Sequence, residues 1–196
     1  MTPPDRTEML LIRHAPADHG GRLCGRRDVP ARIAEGPALT ALRTWLSACS
    51  EVVTSPALRC RQTAGALFPG RPLASDPALW EQDFGDHDGL RFEEIPDLGK
   101  LSQDELSTYR PPGGESFAEM AARLRPVLTA LSRRAQAGGP LAVVAHAGTV
   151  RAALGIALGQ IPAGLGFEVA PLSVTRLRCF GDGFSVAGVN WPGPAT

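Results

Sequence analysis

Two short apolar runs along the chain each end at a histidine. Residues 9–12 lead into Arg13 and His14, and residues 141–145 lead into His146. An uninterrupted apolar run of this length is typical of a strand buried on both faces, so both runs are predicted to be central strands of a covered parallel sheet. Ligands of such sheets bind beyond the carboxyl ends of the strands. We therefore expect His14 and His146 to lie side by side at one edge of the sheet.

The rest of the hydrophobic pattern alternates helices with short strands. Apolar residues at helical spacing predict helices over residues 40–48, 57–68, 117–137 and 150–158. Short apolar stretches predict strands at residues 51–54 and 72–74, and a closing antiparallel pair at residues 173–179 and 184–189. The alternation predicts an α/β fold with three layers, α/β/α, around a mostly parallel central sheet with one antiparallel edge near the C-terminus.

The chain is expected to form one domain, residues 1–196, because its length fits a single α/β unit and no stretch resembles a linker. Residues 1–8 are polar and contain prolines, so they are expected to be flexible. Residues 91–112 predict short helical pieces broken by proline, which we interpret as an insertion over the site. Ser55 and Thr149 are expected to cap the helices that follow them.

Composition narrows the class of partner. The chain carries 20 Lys and Arg residues against 20 Asp and Glu residues, and this formal net charge of zero gives no reason to expect a nucleic acid partner. The chain contains no apolar run of membrane-spanning length and no signal-peptide pattern, so we expect a cytoplasmic protein without a membrane partner. Lys100 is the only lysine, which argues against Schiff-base chemistry and favours oxyanion binding by arginine.

The cysteines show no pattern that is typical of a metal site or of a disulfide framework. Cys24, Cys49, Cys60 and Cys179 are widely spaced and include no Cys-x-x-Cys pair. We therefore expect reduced thiols in a cytosolic protein, with no bound metal.

A loop rich in glycine, proline and arginine, residues 15–31, is predicted to leave the first strand at its carboxyl end, where binding residues are common. Its cations Arg22, Arg26 and Arg27 fit either a solvated basic loop or a substrate-binding surface. Arg59 lies near the N-terminal end of the second predicted helix, which starts at the same edge of the sheet. Local positive charge is therefore expected around the two histidines.

Five blocks of the chain, in the right order, resemble the motifs of the histidine phosphatase superfamily, which includes phosphoglycerate mutase. These blocks are Arg13-His14-Ala15 and residues 55–64, 79–89, 112–116 and 144–148. The resemblance as a whole spans residues 9–189, and five ordered blocks are far more specific than one Arg-His pair. The resemblance implies a phosphoglycerate mutase-like fold and a phosphatase that needs neither a metal nor another cofactor.

The resemblance also implies a division of roles. His14 would attack phosphorus through an unprotonated ring nitrogen and form a phosphohistidine. Arg13 and Arg59 would hold the phosphate oxygens, and His146, protonated when phosphate is bound, would donate a further hydrogen bond. Glu81 would protonate the leaving alkoxide, with its pKa raised by partial burial beside the phosphate, and would then activate water.

The implied substrate-binding set contains the phosphate ligands and three further residues. Its members are Arg13, Arg59, His146, Ala147, Arg26 and Cys24. Backbone N–H groups at the start of the helix after Gly148 would add to the grip on phosphate.

Two blocks depart from the family pattern. Ala15 stands where glycine is usual, and His87-Asp88-Gly89 stands where an aromatic residue, Glu and Gly are common. Both departures affect the expected fit of the substrate more than the catalytic groups. His19 and His87 lie in polar loops, and we expect solvated side chains rather than ligands there.

The basic loop suggests a substrate within the family. Residues 21–30 resemble the loop of α-ribazole phosphatases of cobalamin synthesis, although the usual aromatic residue is missing and Ala31 replaces a leucine. Residues 171–177 are similar to the tail of small phosphatases of this group. The expected partner is therefore a small-molecule phosphate ester, with α-ribazole-5′-phosphate as the first choice and inorganic phosphate as a product.

Two alternatives remain open at this point. A phosphoglycerate mutase-type phosphotransferase would need a second anion pocket, for which the chain is short, so hydrolysis is favoured. A catalytically inactive module that binds a phosphorylated ligand would show substitutions at the phosphate-binding residues, and these are intact. A homodimer is a possible assembly.

Overall fold

The fold is a six-stranded sheet with helices on both faces, in a computed structural model that describes residues 3–194. The strands are β1 (Glu8–Arg13), β2 (Glu51–Thr54), β3 (Ala74–Ser75), β4 (Leu141–Ala145), β5 (Val174–Phe180) and β6 (Gly183–Trp191). The helices are α1 (Pro37–Leu46), α2 (Leu58–Leu67), α3 (Gln103–Thr108), α4 (Phe117–Gly138) and α5 (Ala147–Leu158). Short 3₁₀ turns span Pro77–Leu79, Gly85–His87, Phe92–Glu94 and Ile161–Gly166.

The strands lie in the order β3-β2-β4-β1-β5-β6. At the centre β1 and β4 run parallel, with Arg13 opposite Ala145, and β2 and β3 extend the parallel part. The last two strands are antiparallel, β5 to β1 and β6 to β5. The predicted fold class, a mostly parallel sheet in three layers with an antiparallel edge near the C-terminus, is confirmed.

Strand β1 contributes to both hydrophobic cores because successive side chains of a strand point to opposite faces. Met9 and Leu11 pack with α4 and α5, whereas Leu10 and Ile12 pack with α1 and α2 on the other face. All four side chains are fully buried. This two-sided burial explains the uninterrupted apolar run, and it leaves Arg13 as the first polar residue at the edge of the sheet.

Of the two helix caps predicted from the sequence, the one at Thr149 is wrong. Ser55 Oγ accepts from the backbone N–H of Ala57 at 3.3 Å just before α2, and the first N–H of α2, that of Leu58, donates to the carboxylate of Asp28 in the loop after β1 at 2.6 Å. Helix α5 begins directly after β4, which puts His146 at the N-cap position and Thr149 inside the first turn. No turn residue separates β4 from α5, and the helix therefore starts earlier than the local pattern predicts.

The expected flexibility of residues 1–8 is wrong at the last of these residues. Met1 and Thr2 lie outside the described residues, but Glu8 is the first residue of β1 and is 0% exposed. Its carboxylate accepts hydrogen bonds of 2.7–3.0 Å from Nε and Nη2 of Arg176 in the neighbouring strand β5. A buried carboxylate is tolerated here because this guanidinium pairs with it.

Residues 91–112 form short helical pieces, as the proline-broken pattern predicts. They contain the 3₁₀ turn Phe92–Glu94 and helix α3, whose N-terminus is capped by Ser102. An isolated antiparallel bridge joins Arg91 to Arg22 in the loop after β1. The segment is thereby attached to the wall of the cavity described next.

Candidate active site

A cavity of about 250 Å³ opens beyond the carboxyl ends of β1 and β4. Its lining includes Arg13, His14, Cys24, Arg59 and Glu81. These side chains come from β1, the loop after it, the first turn of α2 and the segment before α4. The parallel centre of the sheet therefore brings polar side chains from distant parts of the chain together at one edge.

His14 and His146 lie side by side in the arrangement expected from the strand pattern. Their ring centroids are 5.3 Å apart and the rings are inclined at 71°. The backbone N–H of His14 donates to the carbonyl of Ala145 at 2.9 Å, which extends the pairing of β1 with β4 by one residue. Both rings are thus held by the register of two parallel strands.

The tautomer of His14 follows from one hydrogen bond. Nδ1 lies 2.6 Å from the carbonyl oxygen of Ala15, and a carbonyl can only accept, so Nδ1 carries the proton. Burial lowers the pKa of His14 to about 4. The hydrogen bond to Ala15 acts in the opposite direction and raises this pKa, whereas the charges of Arg59 and Arg13 lower it. At neutral pH the ring is therefore uncharged, and Nε2 keeps its lone pair.

His146 is fully buried between three polar or aromatic side chains. Nη2 of Arg59 donates to Nδ1 at 3.2 Å, so Nε2 carries the proton and donates to Oγ of Ser55 at 2.8 Å. Burial lowers the pKa of His146 well below its ordinary value, and the neighbouring charges of Arg59, His14 and Arg13 lower it further. Trp80 lies nearly parallel to the ring, at 6.4 Å and 9°. In this structure His146 is therefore a neutral, oriented imidazole.

Arg59 is buried, 1% exposed, and is held by the backbone of the loop after β1. It donates to the carbonyl oxygens of Gly25 at 2.9 Å, Arg27 at 3.1 Å and Cys24 at 3.3 Å. These carbonyls fix the guanidinium without neutralising it. Its charge therefore remains available to an anion in the cavity.

Asp88 fixes the loop whose carbonyl groups accept hydrogen bonds from Arg59. Its carboxylate accepts from the backbone N–H groups of Gly25 at 3.0 Å, Arg26 at 2.6 Å and Arg27 at 2.9 Å. Sequence reasoning noted Asp88 only as a departure from the family pattern and missed this role. No local signal could reveal it, because the three N–H groups lie more than 60 residues away.

Arg13 lies on the other side of the histidines. Its Nη1 donates to the carbonyl of Val169 at 2.6 Å, while its Nε is buried without a hydrogen-bond partner among residues 3–194. Burial lowers the pKa of Arg13, and the charge of Glu81 partly opposes this effect. A buried donor without a partner is costly, which makes Arg13 a candidate anion ligand.

Glu81 faces the start of α5. Its carboxylate accepts from the backbone N–H groups of Gln82 at 3.0 Å and Gly148 at 3.3 Å. A Cβ atom at Gly148 would lie 2.1 Å from Oε1 of Glu81, so only glycine permits this approach. The N–H of Gly148, at the start of α5, thus positions the candidate acid.

Arg123 supports the segment that carries Glu81. It donates to the carbonyl oxygens of Ala78 at 2.6 Å, Trp80 at 3.2 Å and Glu81 at 3.4 Å, and it forms an ion pair with Glu115. Sequence reasoning missed Arg123 because it is one of several arginines on the polar side of an amphipathic helix. Only the packing of α4 against this segment distinguishes it.

The arginines of the loop after β1 have different surroundings. Arg26, predicted to bind substrate, lies over the ring of Trp80 at 5.7 Å and pairs with Glu115 at 3.7 Å. Arg22 lines the cavity and donates to the carbonyl of Gly89 at 2.8 Å. Cys24 also lines the cavity, and burial raises the pKa of its thiol.

Three remaining predicted residues have different surroundings. Ala147 is the first residue of α5 and packs against the core between the sheet and α4. His19 lines the cavity and meets the ring of Phe92 at 5.3 Å. The expectation of a solvated His87 is wrong, since this side chain is buried and lines a second cavity.

Residues 9–192 match the histidine phosphatase superfamily (branch 1). The chain belongs to this superfamily. It is 32% identical over 178 residues to the glucosyl-3-phosphoglycerate phosphatase of Mycobacterium tuberculosis, with 79% of this chain and 76% of that protein covered. Among solved structures, the α-ribazole phosphatase of Shigella flexneri matches with a TM-score of 0.81 at 19% identity, covering 96% and 98% of the two chains. At 19% identity, the match to the enzyme of Shigella flexneri shows a common fold.

Some relatives are longer than this chain. The 6-phosphofructo-2-kinase/fructose-2,6-bisphosphatase of Caenorhabditis elegans is 34% identical over 162 residues, which cover 74% of this chain and 33% of that protein. The chain thus spans only a third to about half of several curated relatives. Within residues 3–194, none of the helices combines the length and the apolar character needed to cross a membrane.

Proposed function

We propose that the protein is a phosphomonoesterase that forms a phosphohistidine on His14. The observation that carries this proposal is the fixed tautomer of His14, whose Nε2 is unprotonated beside the guanidinium groups of Arg13 and Arg59. A nucleophilic nitrogen beside two forked cations suits attack on a phosphate dianion. Membership of the histidine phosphatase superfamily supports the same chemistry.

The first step transfers the phosphoryl group to the protein. Nε2 of His14 forms a bond to phosphorus while the bond from phosphorus to the ester oxygen breaks. Arg13 and Arg59 stabilise the charge on the equatorial oxygens. Glu81 in its protonated form gives its proton to the leaving oxygen, so that a neutral alcohol departs.

The second step releases phosphate. Glu81, now a carboxylate, takes a proton from water as the water oxygen attacks phosphorus. The bond between phosphorus and Nε2 breaks, and the lone pair returns to His14. The N–H groups of Gln82 and Gly148 keep Glu81 in one place for both transfers.

His146 is proposed to bind the phosphoryl group through Nδ1. In this structure Nδ1 accepts from Arg59, so the two groups point at each other beside the cavity. A dianion that draws Nη2 of Arg59 toward itself would favour a proton on Nδ1 and turn His146 into a second donor. The hydrogen bond to Ser55 holds the ring in this orientation.

The proposed substrate is α-ribazole-5′-phosphate, an intermediate of cobalamin synthesis, or a related small-metabolite phosphate. The resemblance of residues 21–30 to the loop of α-ribazole phosphatases supports this choice, and the likeness of fold to the enzyme of Shigella flexneri agrees with it. Glucosyl-3-phosphoglycerate is the natural competitor, since the mycobacterial phosphatase for it is a relative over most of the chain.

The proposal is tested by p-nitrophenyl phosphate hydrolysis without added metal, followed by a panel of α-ribazole-5′-phosphate, sugar phosphates, phosphoglycerates and nucleotides. We expect turnover to fall at least about 10³-fold in His14→Ala. Quenching the unsubstituted protein in alkali during turnover is expected to trap an acid-labile phosphoryl group. Label that persists in His14→Ala contradicts the assignment.

A further inference from the structure

A second cavity, of about 330 Å³, lies beside the first. Leu23 and Phe84 line both cavities and therefore form the wall that they share. A phosphate ester bound at His14 must direct its alcohol part away from the guanidinium groups. The second cavity is the space next to the first one, on the other side of Leu23 and Phe84.

The wall of the second cavity is rich in aromatic rings. Phe84, His87, Tyr109 and Phe117 all line it. Tyr109 is the only tyrosine of the chain, and aromatic residues of the Phe, Trp and Tyr types make up only 6% of the sequence. Ring walls favour a flat apolar ligand, because aromatic pairs gain from edge-to-face and offset contacts beyond the area they bury.

Two polar atoms of this wall already have backbone partners. Nε2 of Gln82 donates to the carbonyl of Glu115 at 2.9 Å, and Nε of Arg151 donates to the carbonyl of Phe167 at 3.0 Å. The wall also includes Leu98. An apolar ring would gain by leaving water for such a wall.

The segment over the cavity exposes apolar side chains to solvent. Phe92 is 54% exposed and Leu106 is 42% exposed, and these two, with Leu101, are half of the six exposed large apolar residues found in residues 3–194. Phe92 lines the first cavity and Leu106 the second. Exposed apolar side chains at the rim of a cavity are available to an apolar ligand.

We infer that the second cavity binds an aromatic ring system carried by the alcohol part of the phosphomonoester, and this inference rests on the proposed function. The two cavities together fall within the range of roughly 300–1,000 Å³ that is usual for small-molecule sites. The arginines hold the phosphate at one end, and the aromatic wall selects the ring at the other. Phe84 lies between the two ends and sets their separation.

The test is a series of primary-alcohol phosphates with leaving groups of similar reactivity: ethyl, benzyl and 2-naphthylmethyl phosphate. We expect kcat/KM to rise about tenfold from ethyl to benzyl and again from benzyl to 2-naphthylmethyl, as burial of further apolar surface predicts. Equal values of kcat/KM across the series overturn the inference, and a preference for a straight octyl phosphate over 2-naphthylmethyl phosphate overturns it as well.

A pair of variants locates the preference. Leu106→Glu places a charge at the rim of the second cavity and is expected to lower the ratio of kcat/KM for 2-naphthylmethyl over ethyl phosphate about tenfold. Leu158→Glu is the matched control, because Leu158 is another exposed leucine, at the end of α5. An equal ratio in Leu106→Glu and the unsubstituted protein contradicts the assignment of the cavity.

Binding of phosphonates separates this inference from the proposed function. Calorimetry should show 2-naphthylmethylphosphonate binding at least about tenfold more tightly than methylphosphonate, with the difference lost in Leu106→Glu. This result without hydrolysis of any ester would support the cavity and refute the phosphatase. Hydrolysis of all three esters at one rate would keep the phosphatase and refute the aromatic site.

Discussion

The two ends of strand β1 both bury charged side chains, but their electrostatic arrangements are opposite. At the first residue, Glu8 receives the guanidinium of Arg176, and the two charges offset each other inside the sheet. At the other end, Arg13 donates to a backbone carbonyl and Arg59, in α2, donates to three others. Carbonyls orient a cation without cancelling its charge.

This difference separates a structural ion pair from a binding site. A buried pair whose charges cancel has no attraction left for a ligand, and its role is to link β1 to β5. Converging cations raise the electrostatic energy of the folded protein, and an anion in the cavity relieves it. Burial is the main cause of the lowered pKa values of His14 and His146, and the neighbouring cations lower both values further.

A matched pair of substitutions gives the sharpest test of this comparison. Arg176→Met leaves the carboxylate of Glu8 buried without its partner, so the free energy of unfolding should fall by about 3–5 kcal/mol. Arg59→Met removes a phosphate ligand, so kcat/KM should fall about 10²–10³-fold with a smaller loss of stability. Urea unfolding and steady-state kinetics measure the two effects.

The comparison fails if the two variants exchange these effects. If folded Arg176→Met protein had a kcat/KM as low as that of Arg59→Met, the pair of Glu8 and Arg176 would contribute to catalysis, and the assignment of a purely structural role to it would be wrong. Temperatures well below the unfolding midpoint of Arg176→Met are needed for the kinetic measurement.

Glu81→Gln tests the carboxylate that lines the first cavity. We expect kcat/KM for alkyl phosphates to fall about 10²-fold, whereas kcat/KM for p-nitrophenyl phosphate falls less than about tenfold. A poor leaving group needs the proton that Glu81 supplies, and p-nitrophenolate does not. Equal slowing of both substrates would assign Glu81 to positioning alone. Glu119→Gln, at an exposed carboxylate on α4, is the control.

The pH dependence of stability reports the smallest of these effects. The pKa of His14 is about 4 in the folded protein and near 6.5 when unfolded, so the unfolded chain binds more protons between these values. Stability from this group is therefore present above pH 6.5 and is lost as the pH falls toward 4. His14→Asn should reduce the loss between pH 7 and pH 5.5 by about 1 kcal/mol. Urea unfolding at the two pH values measures it, and an unchanged slope contradicts a neutral, buried His14.

The sequence predicted the sheet and the meeting of the histidines because both depend on short-range patterns. The apolar run of β1 requires burial on two faces, and the run of β4 requires the same. Two such strands pair in parallel at the centre of the sheet, and the residues after them then share an edge. His14 and His146 follow from this rule without any knowledge of the side chains around them.

The same reasoning failed where a side chain acts on distant backbone. Asp28 caps α2 across 30 residues, and Asp88 fixes the loop around Arg59 across more than 60. The contacts of Arg26 with Trp80 and Glu115 were likewise not predicted. Each contact depends on which loops pack together, and composition alone leaves that open.

The sequence by itself determined the order of strands and helices, the edge at which ligands bind, and the residue types that converge there. Tertiary structure decided the rest: which nitrogen of His14 is free, which arginines remain uncompensated, and that Glu8 is a buried partner of Arg176. The physical reason is distance along the chain. Hydrophobic periodicity acts over a few neighbouring residues, whereas hydrogen bonds and charge compensation join residues such as Glu8 and Arg176, which are 168 positions apart.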